Sequence, residues 1–263
     1  MADIHAAEDP ALRGRKVFFL YPHRVLNEDL MVEILSNEYE VYGIRDHEAA
    51  VKVAEAHPGS IFFVNIDETL RESQWEGWIR RLVSQPATAS SRVGILTYNP
   101  DPDLARKYLI EVGIPCGYIQ LKLGLAEGKD IILRTLAANE ARGRRRFVRA
   151  RLADARKAAF NVTVRGSHHT GQILDLSVAG MACRFDGAVH LRPHEAMDDV
   201  QLRLRGTLCR VSGALVGSPQ GGEDRLLVMF RAPLADDVRA KIHRFIFLSL
   251  QEEMGDFIRG LKA

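Results

Sequence analysis

Asn139 to Arg149 reads NEARGRRRFVR, and the character of the chain changes across it. Before this stretch, short apolar runs alternate with segments of helical periodicity. After it, strand-like runs follow one another with no helix between them until Asp236. Strands linked by helical crossovers imply a mostly parallel sheet covered on both faces. Strands linked by glycine and polar turns imply a small closed barrel. The stretch therefore divides two folds, as the length of 263 residues also suggests. It is strongly basic as well: eight Lys and Arg residues lie between Arg142 and Lys157, with Asp154 as the one acid, although the whole chain carries a net charge of only +2. Such a local concentration suits a phosphate or an acidic partner.

Upstream, Lys16–Tyr21 (KVFFLY), Tyr39–Ile44, Ile61–Ile66 (IFFVNI), Arg92–Thr97 and Gly117–Leu121 read as five strands. Helices are expected from Asn27, over His47–His57 up to Pro58-Gly59, around Trp75 and Trp78, over Pro102–Val112, and over Leu125–Ala138. After a tail of residues 1–14, this makes a (βα)5 sandwich over residues 15–140. At least one tryptophan is expected in its core, and the other is a candidate protein contact. The order resembles the receiver domains of two-component signalling. That resemblance implies two carboxylates after the first strand to hold Mg²⁺, a phosphate-accepting aspartate ending the third, Ser or Thr ending the fourth and Lys ending the fifth. Thr97 and Lys122 stand where the last two belong. Tyr21, Pro22 and His23 offer no carboxylate, and Asn65 holds the acceptor position, with Asp67 two residues on. Mg²⁺ needs hard oxygen ligands, and phosphoryl transfer onto a carboxylate needs its charge neutralised. A degenerate receiver is therefore expected, with Thr97 and Lys122 as relics or structural groups. Its last helix and strand, by the same resemblance, imply a homodimer face.

Downstream, Ala159–Val164, Gln172–Leu176, Met181–Phe185, Val200–Leu204, Thr207–Val211 and Leu226–Phe230 form six strand-like pieces. A barrel made of them would have no exposed edges. From Asp236 the period changes again: Val238, Ile242, Phe245, Ser249, Met254, Phe257 and Leu261 place one apolar stripe on a long helix. Cys116, Cys183 and Cys209 are widely spaced in apolar surroundings, as buried reduced thiols would be. The polar, acidic start lacks a secretory signal, and no apolar run is long enough to span a membrane, so a cytoplasmic protein is expected.

Two motifs fall in the second half. Arg145-Arg146-Phe147-Val148-Arg149 supplies RxxxR, and Asp175-Leu176-Ser177-Val178-Ala179-Gly180 supplies DxSxxG. Their order, spacing and barrel setting resemble the PilZ domain. The resemblance implies a six-stranded antiparallel barrel with a closing C-terminal helix that binds cyclic di-GMP, here after an arginine-rich linker at 141–150, with the domain itself at 151–263. Arg145 and Arg149 take the two family arginine positions, Arg146 adds a phosphate contact or stacks on a base, and Arg144 assists. Arginine suits this ligand because its planar fork pairs with phosphate oxygens or with guanine O6 and N7, while its face stacks on a base. Asp175 can accept from guanine N1–H and N2–H, which an arginine cannot do. Ser177 shares its strand face, and Gly180 permits a turn or a close ligand approach. Phe147 and Val148 anchor the segment. The extra arginines resemble arrangements that hold a stacked pair, so two ligand molecules per site are expected.

The bland readings are a solvated basic linker or a nucleic-acid arm for the arginine run, and a turn-stabilising Asp and Ser for the second motif. His168 and His169 in SHHTG are expected in an exposed hairpin turn, without partners for a metal. No sequence-local catalytic constellation, metal site or cofactor motif is apparent. The expectation is a non-enzymatic cyclic di-GMP effector that converts binding into an interdomain or partner-binding change, acting on a protein partner the sequence does not identify. Nucleic acid is not the expected ligand. The alternative is a ligand-independent interaction or dimerisation scaffold.

Overall fold

The computed structural model of the chain describes residues 14–22, 28–121, 125–152, 154, 157–189, 191–217 and 225–261. Its contacts divide it into two compact units, one running to Arg146 and resuming at Gln251, the other Phe147–Leu250.

In the first unit, β1 (Val17–Leu20), β2 (Val41–Ile44), β3 (Ile61–Asn65), β4 (Arg92–Thr97) and β5 (Tyr118–Gln120) form one parallel sheet in the order β2-β1-β3-β4-β5. This is the doubly wound order in which the chain starts near the centre and builds outward both ways. β1 and β3 are buried along their whole length, as strands covered on both faces must be. Their aromatic residues stack across the ladder, Phe18 on Phe62 at 4.9 Å and Phe19 on Phe63 at 5.3 Å between ring centres. The crossovers are α1 (Glu28–Ser36), α2 (His47–Ala56), α3 (Glu72–Ser84) and α4 (Pro102–Arg106), and α5 (Leu125–Ala138) follows β5. Asp46 caps α2 by accepting from Ala49 N. The single helix expected over Pro102–Val112 instead widens to a π-helix at Lys107–Val112 and ends on Gly113 in the left-handed conformation (φ +73°). Both Trp75 and Trp78 are core residues, their indoles donating to the carbonyls of Glu68 and His47. A surface role for either is thereby set aside.

The second unit is antiparallel. β6 (Ala150–Arg151), β7 (Ala158–Val164), β8 (Ser167–Ser177), β9 (Gly180–Phe185), β10 (Ala196–Leu204), β11 (Thr207–Gly217) and β12 (Leu226–Phe230) follow the spatial order β6-β8-β7-β10-β11-β12-β9, and β9 pairs back onto β8. Six strands thus close into a barrel, and the short β6 lies against the end of β8. Several strands run longer than the alternation suggested. β8 starts at Ser167, so His168 and His169 lie within a strand opposite Thr163 and Val162 rather than in a turn. The turn is Arg165-Gly166, with both residues at positive φ (+51° and +79°), and Arg205-Gly206 repeats it between β10 and β11 (+49° and +84°). Two central residues at positive φ make the hairpin turn whose twist matches the strands. All three cysteines are buried and free.

The long helix α6 (Asp236–Gly260) is buried on more than a stripe, since His243, Ile246, Phe247 and Leu250 are covered along with Ile242 and Phe245. The run Phe245–Leu250 is apolar almost all round, which is how a buried helix reads. Residues from Gln251 onward belong with the first unit, where the Gln251 amide bonds to β2, Phe257 meets the His57 ring at 5.5 Å and Lys52 donates to Leu261 O at 3.1 Å.

Candidate functional site

Asp175 and Ser177 would face the barrel interior if β8 kept a strict period of two. Gly171 and Ile173 are buried on the inner face, and Asp175 and Ser177 share their parity. The register against β9 shifts between Ile173 and Asp175, leaving Leu174 as an extra residue on β8. Such a bulge re-aims everything beyond it. Ile173 lies opposite Cys183 and Leu176 opposite Met181, all four in the core. Asp175 and Ser177 lie opposite Ala182 and Gly180 on the other face. Gln172 and Arg184 share that face, and Arg184 Nη2 donates to Gln172 Oε1 at 2.9 Å.

Asp175 is nevertheless only 5% exposed. β6 lies beside it, with Arg151 directly opposite. Arg149 Nη1 stands 3.9 Å from Asp175 Oδ1 and Arg225 Nη2 stands 4.0 Å from Asp175 Oδ2. Both separations are ion-pair contacts longer than a hydrogen bond. A nearly buried carboxylate with a guanidinium at ion-pair distance from each oxygen therefore lies on the outer face of the barrel, and one of the two predicted family arginines is beside it. The structure puts Phe147 and Val148 half-buried, as anchors would be, with Arg145 half-buried and Arg144 and Arg146 exposed.

Ser177 ties the hairpin. Its hydroxyl accepts from Ala179 N and donates to Gly180 O, both at 3.3 Å. Gly180 is not in a positive-φ turn. A Cβ there would lie 2.3 Å from Val228 O and 3.1 Å from Met229 Cα, so the residue is glycine because β12 crosses close against it. Gly180 thus closes the Val178-Ala179 turn and is fixed there by a close approach of backbone to backbone. Arg225 was missed by sequence reasoning. Its one mark is its place directly before the apolar strand Leu226–Phe230, after the stretch Gly221-Gly222-Glu223-Asp224 in the sequence.

In the first unit the end of the sheet holds its own polar cluster. Asn65 donates to Tyr21 O at 2.9 Å, and its Oδ1 accepts from Asp67 N at 3.0 Å. Thr97 Oγ1 donates to Asp67 Oδ1 at 2.5 Å and Tyr98 N to Asp67 Oδ2 at 2.7 Å. Asn65 carries no carboxylate to accept a phosphoryl group, and Thr97 is engaged with Asp67. Lys122 and His23 lie outside the described residues. Among the described residues no three metal-ligating side chains cluster, and no helix is long and apolar enough to cross a membrane.

The barrel, its arginine segment and the Asp-x-Ser-x-x-Gly hairpin have a known counterpart. Residues 143–248 match the PilZ domain. The matched span takes in the arginine segment and every strand of the closed barrel. Among solved structures, the PilZ domain of YcgR from Escherichia coli, determined with cyclic di-GMP, is 19% identical and covers 43% of this chain and 95% of its own, with a TM-score of 0.36. MrkH from K. pneumonia in complex with cyclic di-GMP is 18% identical, with 46% of this chain and 56% of that one covered and a TM-score of 0.32. Outside the PilZ domain, the chemotaxis response regulator CheY4 of Vibrio cholerae is 16% identical, covering 48% of this chain and 98% of its own at a TM-score of 0.38. These likenesses are too distant to add to the family match and the geometry. No curated protein sequence matches the chain.

Proposed function

We propose that the PilZ domain is a cyclic di-GMP receptor and that the chain acts as a non-catalytic cytoplasmic signalling effector. The observation that carries this reading is the buried Asp175 on the outer face of the barrel with Arg149 beside it. A carboxylate there accepts from the N1–H and N2–H of a guanine, while Arg145 and Arg149 take phosphate oxygens or the O6 and N7 edge, with Arg144 and Arg146 in support. The ligand carries two phosphodiester charges and two guanines, so it needs both signs of partner. With four arginines, Arg144, Arg145, Arg146 and Arg149, given to it, the ligand enters as a stacked pair. Ser177 and Gly180 hold the hairpin that presents Asp175, and Ser177 can turn its hydroxyl to the ligand.

Binding is converted into an output through the segment itself. Arg142, at its start, donates to Asn37 O at 3.0 Å and lies 4.9 Å over the Tyr39 ring, so that end is tied into the first unit. Ligand gathered by Arg145 and Arg149 would stiffen the connection and alter what the protein presents to a protein partner or to a second copy. The first unit takes no phosphoryl group in this scheme.

Calorimetry at near-physiological salt tests the reading, with GTP and cyclic di-AMP as competitors. Cyclic di-GMP should bind with micromolar or better affinity, about −8 kcal/mol, and the Arg145→Ala/Arg149→Ala variant should lose it. Absence of heat and of competition in the intact protein would transfer the function to a ligand-independent scaffold.

A further inference from the structure

We infer that Arg225, outside both short motifs, is a specificity-determining ligand residue that works with Asp175 to read the base edge of guanine. The inference rests on the cyclic di-GMP reading of the site. Asp175 is flanked at each oxygen by a different guanidinium, Arg149 at Oδ1 and Arg225 at Oδ2. The two arginines come from opposite sides. Arg149 belongs to the segment leading into β6, which pairs with one edge of β8, whereas Arg225 enters β12, which lies beyond β9 on the other side. Across β8, β9 and β12 the register aligns Asp175 with Ala182 and Ala182 with Leu227. Arg225 has the strand parity of Leu227, which puts it on the same outer face. Ala182 between them carries only a methyl group, so no long side chain of β9 separates the two arginines.

The chemistry of this pair is selective. The Watson–Crick edge of guanine offers two donors, N2–H and N1–H, beside one acceptor, O6. A carboxylate next to a guanidinium offers the complement, two acceptors beside a fork of donors. Adenine presents a donor and an acceptor in the reverse sense and leaves the pair mismatched. When guanine takes the carboxylate, Arg225 moves from Asp175 Oδ2 to O6. Arg149 stays with the phosphates, on the side from which the arginine segment arrives. The selectivity thus needs the planar fork of arginine and not only a positive charge.

The experiment titrates cyclic di-GMP into the full-length protein and into Arg149→Ala, Arg225→Ala and Arg225→Lys variants, with thermal unfolding of each free protein as a check. Arg225 is about half exposed, with a side-chain accessibility of 48%, so its variants should unfold at the wild-type temperature. Arg225→Ala should bind about tenfold or more weakly, and Arg225→Lys should fail to restore the affinity. Wild-type affinity in Arg225→Ala, alongside loss in Arg149→Ala, would overturn the assignment of Arg225 and leave the receptor reading in place. Full recovery in Arg225→Lys would show that charge alone suffices and would overturn the base-edge role. Failure of the wild type to bind would overturn the receptor reading and this inference with it.

Discussion

Cys183 shows at the scale of one residue how burial sets chemistry in the barrel. It lies on the inner face, opposite Ile173 on β8 and Leu226 on β12, with no exposed surface. Burial disfavours its thiolate and pushes the pKa from an ordinary 9.0 up to about 12. Below pH 9 the folded and unfolded chains both keep the proton, so the thiol adds no pH dependence. Between about 9 and 12 the unfolded chain releases it and the folded chain does not, so stability falls as pH rises through that window. Urea unfolding followed from about pH 8 to about pH 10 should show a steeper loss for the wild type than for Cys183→Ala. Equal slopes would mean that Cys183 ionises as readily folded as unfolded.

Strands and their pairings decide what the single residues can do. Asp175 reaches solvent-side chemistry only because of the bulge at Leu174, and Gly180 is constrained by a strand remote in sequence. Adding a methyl group at Gly180 would drive it into Val228 O, 2.3 Å away. Gly180→Ala is therefore expected to destabilise the barrel by about 1–3 kcal/mol, the usual range for overpacking, as measured by urea unfolding of the full chain. Unchanged stability would show that β12 can move aside. These contacts also explain what was legible in sequence. The order of strands and helices follows from apolar periodicity, and Arg149 and Asp175 stand out because two short motifs name them. Leu174 looks like any apolar strand residue, and its bulge exists only against β9. Arg165-Gly166 and Arg205-Gly206 escape notice as hairpin turns because arginine is not a residue that favours positive φ. Arg225 meets Asp175 through pairings of β12 that no local pattern encodes.

At the scale of the whole molecule, the chain is not two folds strung in succession, because its last residues return to the first unit. β2 is an edge strand of the parallel sheet, and its outer backbone groups need partners. Gln251 supplies them with one amide: its Oε1 accepts from Gly43 N at 2.9 Å and its Nε2 donates to Val41 O at 2.9 Å. The side chain thus imitates the peptide of a neighbouring strand. Gln251→Ala should leave both groups without that partner and cost about 1–3 kcal/mol where water cannot replace it. Gln251→Glu should be no better, since its carboxylate still accepts from Gly43 N but sets a second oxygen against the carbonyl of Val41. Hydrogen exchange at the Gly43 amide reads the effect directly: faster exchange is expected in both variants. Wild-type protection in Gln251→Ala would mean that the edge of β2 is satisfied without the C-terminal helix.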